Sequence, residues 1–125
     1  MPLFHVWFST KKRLDALQDE RREFVLDAFK RIATENEIEL IESEAQFDHV
    51  HMLLRAADEA DLSRTMMLLK GISAREVFER EPELRFSMRS LVFRQKSFGR
   101  RPVPEDQLET VRQYIRTQMN RPLRH

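Results

Sequence analysis

Residues 48–54 read "DHVHMLL", and two of the chain's four histidines, His49 and His51, flank one valine there. On a β-strand alternate side chains share a face. His49, His51 and Leu53 therefore point one way, and Val50, Met52 and Leu54 the other. The two imidazoles stand ~6.5–7 Å apart along such a strand, close enough for both rings to converge on one divalent cation. A bare His-x-His is a weak signal, and two histidines on a half-exposed strand with hydrogen-bond partners account for it as well. Two ligands also leave a cation site incomplete, so a third is to be sought.

The second group is "QYIRTQ", residues 113–118, which contains the only tyrosine, Tyr114. Gln118 follows one helical turn later on the same face. A tyrosine near an apolar helix stripe is most often a packing residue. A phenol is also a nucleophile able to form a covalent intermediate, although its ordinary pKa near 10 makes it weak at neutral pH. A cation on a scissile phosphate would supply the missing activation. Gln118 can offer that cation a carbonyl oxygen while Tyr114 attacks beside it. Two imidazoles and an amide oxygen suit Mg²⁺ or Mn²⁺, with histidine favouring Mn²⁺.

These residues need a scaffold, and 125 residues are enough for one domain, read here as residues 1–125. The chain is 41% hydrophobic and 34% charged with a net charge of +1, which excludes a disordered composition. It has no cysteine, which removes disulfides, zinc–thiolate sites and thiol nucleophiles. No apolar run approaches the ~18 residues that span a bilayer. The opening "MPLFHVWFSTKKR" has its bases after the apolar run, the reverse of a signal peptide. The expectation is a soluble cytoplasmic protein with no membrane partner.

Apolar and β-branched runs predict strands at Leu3–Phe8, from Ile38 to about Ala45, at His49–Arg55, and from about Met88 to Phe98. Gln46-Phe47-Asp48 reads as a turn. Helical stripes predict helices over Gln18–Glu35, ending at Asn36, from Leu62 to about Arg80 despite Gly71, and from Pro104 or Glu105 to about Met119. Gly99, Pro102 and Pro104 read as chain breaks. The order β-α-β-β-α-β is an α+β, ferredoxin-like antiparallel sheet with two helices on one face. The added C-terminal helix carries the tyrosine, and either covers the open face of the sheet or reaches a partner.

With those segments in order, the chain resembles the IS200/IS605-type single-tyrosine HUH transposases, including the REP-associated tyrosine transposases. "FHVWFSTKKR" resembles the family's first strand and basic turn, "FDHVHMLL" its metal strand, "LLKGISAREVFEREPEL" its second helix, and "YIRTQ" its catalytic helix. The resemblance implies a metal site of His49, His51 and Gln118 and attack by Tyr114 on single-stranded DNA. The product it implies is a 5′-phosphotyrosine link and a free 3′-hydroxyl, which later rejoins strands. It also implies hairpin-ended DNA as substrate and a homodimer in which the tyrosine helix can act in trans. His5 stands where relatives often carry a strand histidine and is read as structural or supporting.

Charge is uneven. Residues 35–61 hold nine acids and one base, whereas residues 85–101 hold six bases and no acid. Lys11, Lys12, Arg13, Arg94, Lys96, Arg100, Arg101, Arg112 and Arg116 are therefore candidates for holding DNA phosphates. Other readings are a ferredoxin-like nucleic-acid-binding module without chemistry, a metal-dependent hydrolase with water as nucleophile, and a domesticated host nuclease of the same fold. The hydrolase predicts that Tyr114 is dispensable.

Overall fold

A computed structural model describes residues 1–9, 19–46, 49–82 and 98–118. Alternation along the histidine strand divides its sheet into two faces. The elements are β1 (Leu3–Ser9), α1 (Asp19–Glu35), β2 (Leu40–Gln46), β3 (His49–Arg55), α2 (Glu59–Arg80), β4 (Gly99–Val103), a 3₁₀ turn (Glu105–Gln107) and α3 (Leu108–Gln118). The sheet order is β2-β3-β1-β4 and every pairing is antiparallel. This is the ferredoxin-like arrangement, with β1 and β3 as the two central strands.

Val50, Met52 and Leu54 of β3 lie in one apolar cluster with Val6 and Phe8 of β1, Phe29 and Ile32 of α1, and Met66 and Leu69 of α2. Leu53 faces away, into a second cluster with Leu3, Val103, Val111 and Ile115. The third helix thus covers the open face of the sheet, burying a narrow apolar stripe against three strands. The histidines stand on this second face.

The helix ends have local causes. At the start of α2, Asp58 accepts a hydrogen bond from the Asp61 amide at 2.8 Å, and the Asp61 carboxylate accepts one from the Ala57 amide at 2.8 Å. At the end of α1, the left-handed conformation falls on Glu37 (φ 57°) and not on Asn36. Asn36 contributes differently: its side-chain amide donates to the Ile32 carbonyl at 2.9 Å. The Ile38 amide then reaches back to the Ala33 carbonyl at 2.8 Å, closing a Schellman-type end.

The fourth strand departs from the expectation. Residues read as chain breaks, Gly99 and Pro102, lie inside β4, whereas the run expected to be the strand lies almost wholly outside the described residues. Among the described residues β4 is an edge strand paired only with β1, and an edge tolerates a residue without an N–H. Gly99 sits opposite Trp7, and a Cβ there would lie 2.0 Å from the indole. Glycine at 99 is what lets the indole pack against the strand there. The expected turn at Phe47-Asp48 also lies outside the described residues.

Candidate active site

His49 and His51 project from the α3-facing side of β3, His49 exposed and His51 half-buried. In register, His51 faces Trp7 on β1 and Glu44 on β2, while His49 faces Ser9. Two register pairs along, His5 of β1 lies between Leu53 and Arg101. Its ring is 4% exposed, and its Nε2 lies 3.0 Å from Nδ1 of His51, a hydrogen bond in which one ring donates and the other accepts. The two rings stack with centroids 5.2 Å apart. Trp7 leans on the same imidazole at 5.0 Å.

Tyr114 arrives from above. Its ring meets His5 edge-on at a centroid distance of 6.3 Å and remains 48% exposed. The tyrosine, His5 and His51 therefore form one contact sequence within a single chain. Gln118 is the last residue of α3, one turn beyond Tyr114; its side chain lies outside what is described. Tyr114 is held there by the docking of α3. Glu42 of β2 accepts hydrogen bonds from Arg112 at 3.1 Å and Arg116 at 2.9 Å on one carboxylate oxygen. Arg55, at the end of β3, donates to both oxygens of Glu105 at 2.7 and 2.8 Å.

Burial favours the neutral form of His5 and of His51. Burial, reinforced by His51 and then Arg101, lowers His5 from 6.5 to about 4. Burial, followed by His49, also lowers His51. A neutral imidazole has one lone pair to give, as a cation site requires. With the two rings on one face, an imidazole pair suits Mn²⁺ better than Mg²⁺. Among the described residues no group of three His, Cys, Asp or Glu converges, so the described part of the site is a histidine pair.

The basic candidates separate. Arg112 and Arg116 are engaged by Glu42. Arg100 is exposed, pairs with Glu59 at 2.6 Å and lies over the Phe98 ring at 4.8 Å. Arg101 is exposed and stands beside His5 in register, on the tyrosine face. Lys11, Lys12, Arg13, Arg94 and Lys96 lie outside the described residues. Sequence reasoning missed Glu42 and Glu105 as the anchors of α3, and it gave His5 no defined contact. The available signal for His5 was its position two residues before Trp7 on the strand that the ferredoxin order sets beside β3. A groove of about 900 Å³ between α1 and α2, bordered by Phe24, Asp27, Arg31 and Glu76, lies on the opposite side of the sheet from the histidines.

The fold is a ferredoxin-like sheet with a histidine pair on a central strand and a tyrosine helix across the same face. Residues 3–118 match the family described as "Transposase IS200 like", and the chain belongs to that family. It is 30% identical over 115 residues to the ISDra2 transposase TnpA of Deinococcus radiodurans, covering 92% of this chain and 82% of that one. It is 30% identical over 90 residues to the transposase for insertion sequence element IS200 of Salmonella typhimurium, covering 72% of this chain. It spans 59% of that relative's length. Among solved structures, a candidate transposase of Deinococcus radiodurans superposes with a TM-score of 0.71 at 32% identity, covering 93% of this chain and 89% of the other. The REP-associated tyrosine transposase bound to a REP hairpin superposes at 0.68 over 94% of this chain and 66% of the other. At 12% identity that likeness speaks for the fold. No described helix is long and apolar enough to cross a membrane.

Proposed function

We propose that this chain cleaves and rejoins single-stranded DNA in transposition, with Tyr114 as nucleophile. The observation that carries the reading is the 6.3 Å edge contact of Tyr114 with His5, the ring bonded to His51. It sets the phenol on the same face as the histidine pair. His49, His51 and Gln118 would hold a divalent cation, Mg²⁺ or Mn²⁺. When bound, that ion would draw charge from a phosphoryl oxygen and stabilise the departing one.

The chain's own residues do the rest. The phenol oxygen of Tyr114 bonds to phosphorus as the bond from phosphorus to the 3′-oxygen breaks. The tyrosine proton is given up and the departing oxygen takes one, leaving a 3′-hydroxyl and a 5′-phosphotyrosine link. Attack by a 3′-hydroxyl on that link reverses the chemistry and frees Tyr114, so strands rejoin without ATP. Arg101, exposed beside His5, supplies positive charge where the DNA backbone would pass. The structural neighbour solved with a REP hairpin supports hairpin-ended DNA as the substrate. The docking of α3 on its own sheet supports action in cis for this state. A homodimer exchanging the helix is part of the same proposal.

The test is a denaturing gel of the protein incubated with single-stranded hairpin oligonucleotides and Mn²⁺ or Mg²⁺. Wild type is expected to form a covalent protein–DNA adduct, and Tyr114→Phe and His49→Ala are expected to form none. Full cleavage by Tyr114→Phe would overturn the nucleophile and favour hydrolysis by water.

A further inference from the structure

We propose that His5 is a positioning residue for the histidine pair: its Nε2 accepts the Nδ1 proton of His51 and leaves the Nε2 lone pair of His51 for the divalent cation. The assignment rests on the metal reading above and adds to it a tautomer and the residue that fixes it.

The argument is one of proton counting. A single hydrogen bond joins the two imidazoles, Nε2 of His5 and Nδ1 of His51, at 3.0 Å. It has two forms. If His5 donates, the second proton of the pair sits on Nε2 of His51, and that nitrogen cannot ligate. If His51 donates, its Nε2 is a bare lone pair. A cation at Nε2 selects the second form, and the bond to His5 holds the ring in the plane that presents it.

The surroundings fix His5 rather than His51. His5 sits on a central strand and is 4% exposed, with Trp7 against it and Tyr114 over its edge. Gly99 in turn makes room for Trp7. His5 is the more restrained of the two rings, and the half-buried His51 takes its orientation from it. Nδ1 of His5 is buried and has no hydrogen-bond partner among the described residues. With Nε2 of His5 accepting, that ring's own proton lies on this nitrogen, so the form that leaves Nε2 of His51 bare also leaves a buried donor with no partner among the described residues, a cost that the bond from His51 to the cation must offset.

Mn²⁺ binding, followed by electron paramagnetic resonance titration of the metal-free protein, tests this without DNA or activity. Wild type is expected to bind and His51→Ala to lose binding. His5→Phe, which keeps an aromatic ring but no acceptor, is expected to bind about 10- to 100-fold more weakly. His5→Gln, with an amide oxygen to accept the proton, is expected to recover most of the affinity. A folded His5→Phe that binds like wild type overturns the role of His5 alone. A wild type that binds no Mn²⁺ overturns the metal reading and this assignment with it. Should His5→Phe not fold, long-range ¹H–¹⁵N spectra of Mg²⁺-loaded wild type decide: a proton on Nδ1 of His51 supports the proposal, and a proton on Nε2 of His5 overturns it.

Discussion

Arg55 and Glu105 meet through two parallel hydrogen bonds of 2.7 and 2.8 Å, joining the last residue of the histidine strand to the turn that starts the tyrosine helix. The same guanidinium also donates to Glu39 at 3.1 Å and to the Met1 carbonyl at 2.8 Å. One arginine therefore ties the start of the chain, the approach to β2, the end of β3 and the entry to α3.

This clamp is sensitive to acid. The bonds from Arg55 hold the Glu105 carboxyl below its ordinary 4.5. A carboxylate lowered in the folded state contributes stability that is present above the unfolded value and lost as pH falls through the folded one. Hydrogen-exchange protection of the α3 amides, corrected for intrinsic rates, is expected to drop as pH falls below about 4.5. Glu105→Gln is expected to lower protection at neutral pH and to flatten that part of the pH dependence.

Glu42 divides the arginines by role. Its side chain is 11% exposed and receives both Arg112 and Arg116. Glu42→Gln removes the charge between two guanidinium groups and is expected to cost about 1–2 kcal/mol in urea unfolding. Arg112→Ala and Arg116→Ala are expected to lower stability while leaving the salt dependence of oligonucleotide binding nearly unchanged. Arg101→Ala is expected to do the reverse, reducing the slope of log affinity against log salt by about 0.7–0.9.

The two glycines respond oppositely to alanine. At Gly71, in the middle of α2, an added Cβ meets nothing within 4 Å. Gly71→Ala is expected to stabilise by about 0.5–1 kcal/mol through helix propensity. At Gly99 the Cβ would overlap the Trp7 indole. Gly99→Ala is expected to destabilise by about 1–3 kcal/mol, and to shift tryptophan fluorescence because Trp7 is the only tryptophan.

Periodicity carried much of the fold. Strand β3 runs over the predicted residues, His49–Arg55, because its alternation is regular and both faces are committed to different partners. The stripes of α1 and α2 were equally legible. β4 was not, because glycine and proline break a strand only where both edges must pair. Whether a segment has one neighbour or two depends on sheet order, not on its own residues.

For the site, residue types and spacing were enough to nominate His49, His51, Tyr114 and Gln118, since each role needs a particular side-chain chemistry. Those types also determined the class of chemistry under consideration: nitrogen and amide ligands with a phenol nucleophile. Only the tertiary structure decided which groups meet. The β1–β3 register sets His5 against His51, and two ion-paired anchors lay Tyr114 over that ring. It also turned Arg112 and Arg116 toward Glu42, as no charge count could show. Local pattern is written in the chain because neighbours along it share a helix or strand. Contacts between residues 46 or more positions apart depend on register and docking, which the whole fold sets at once.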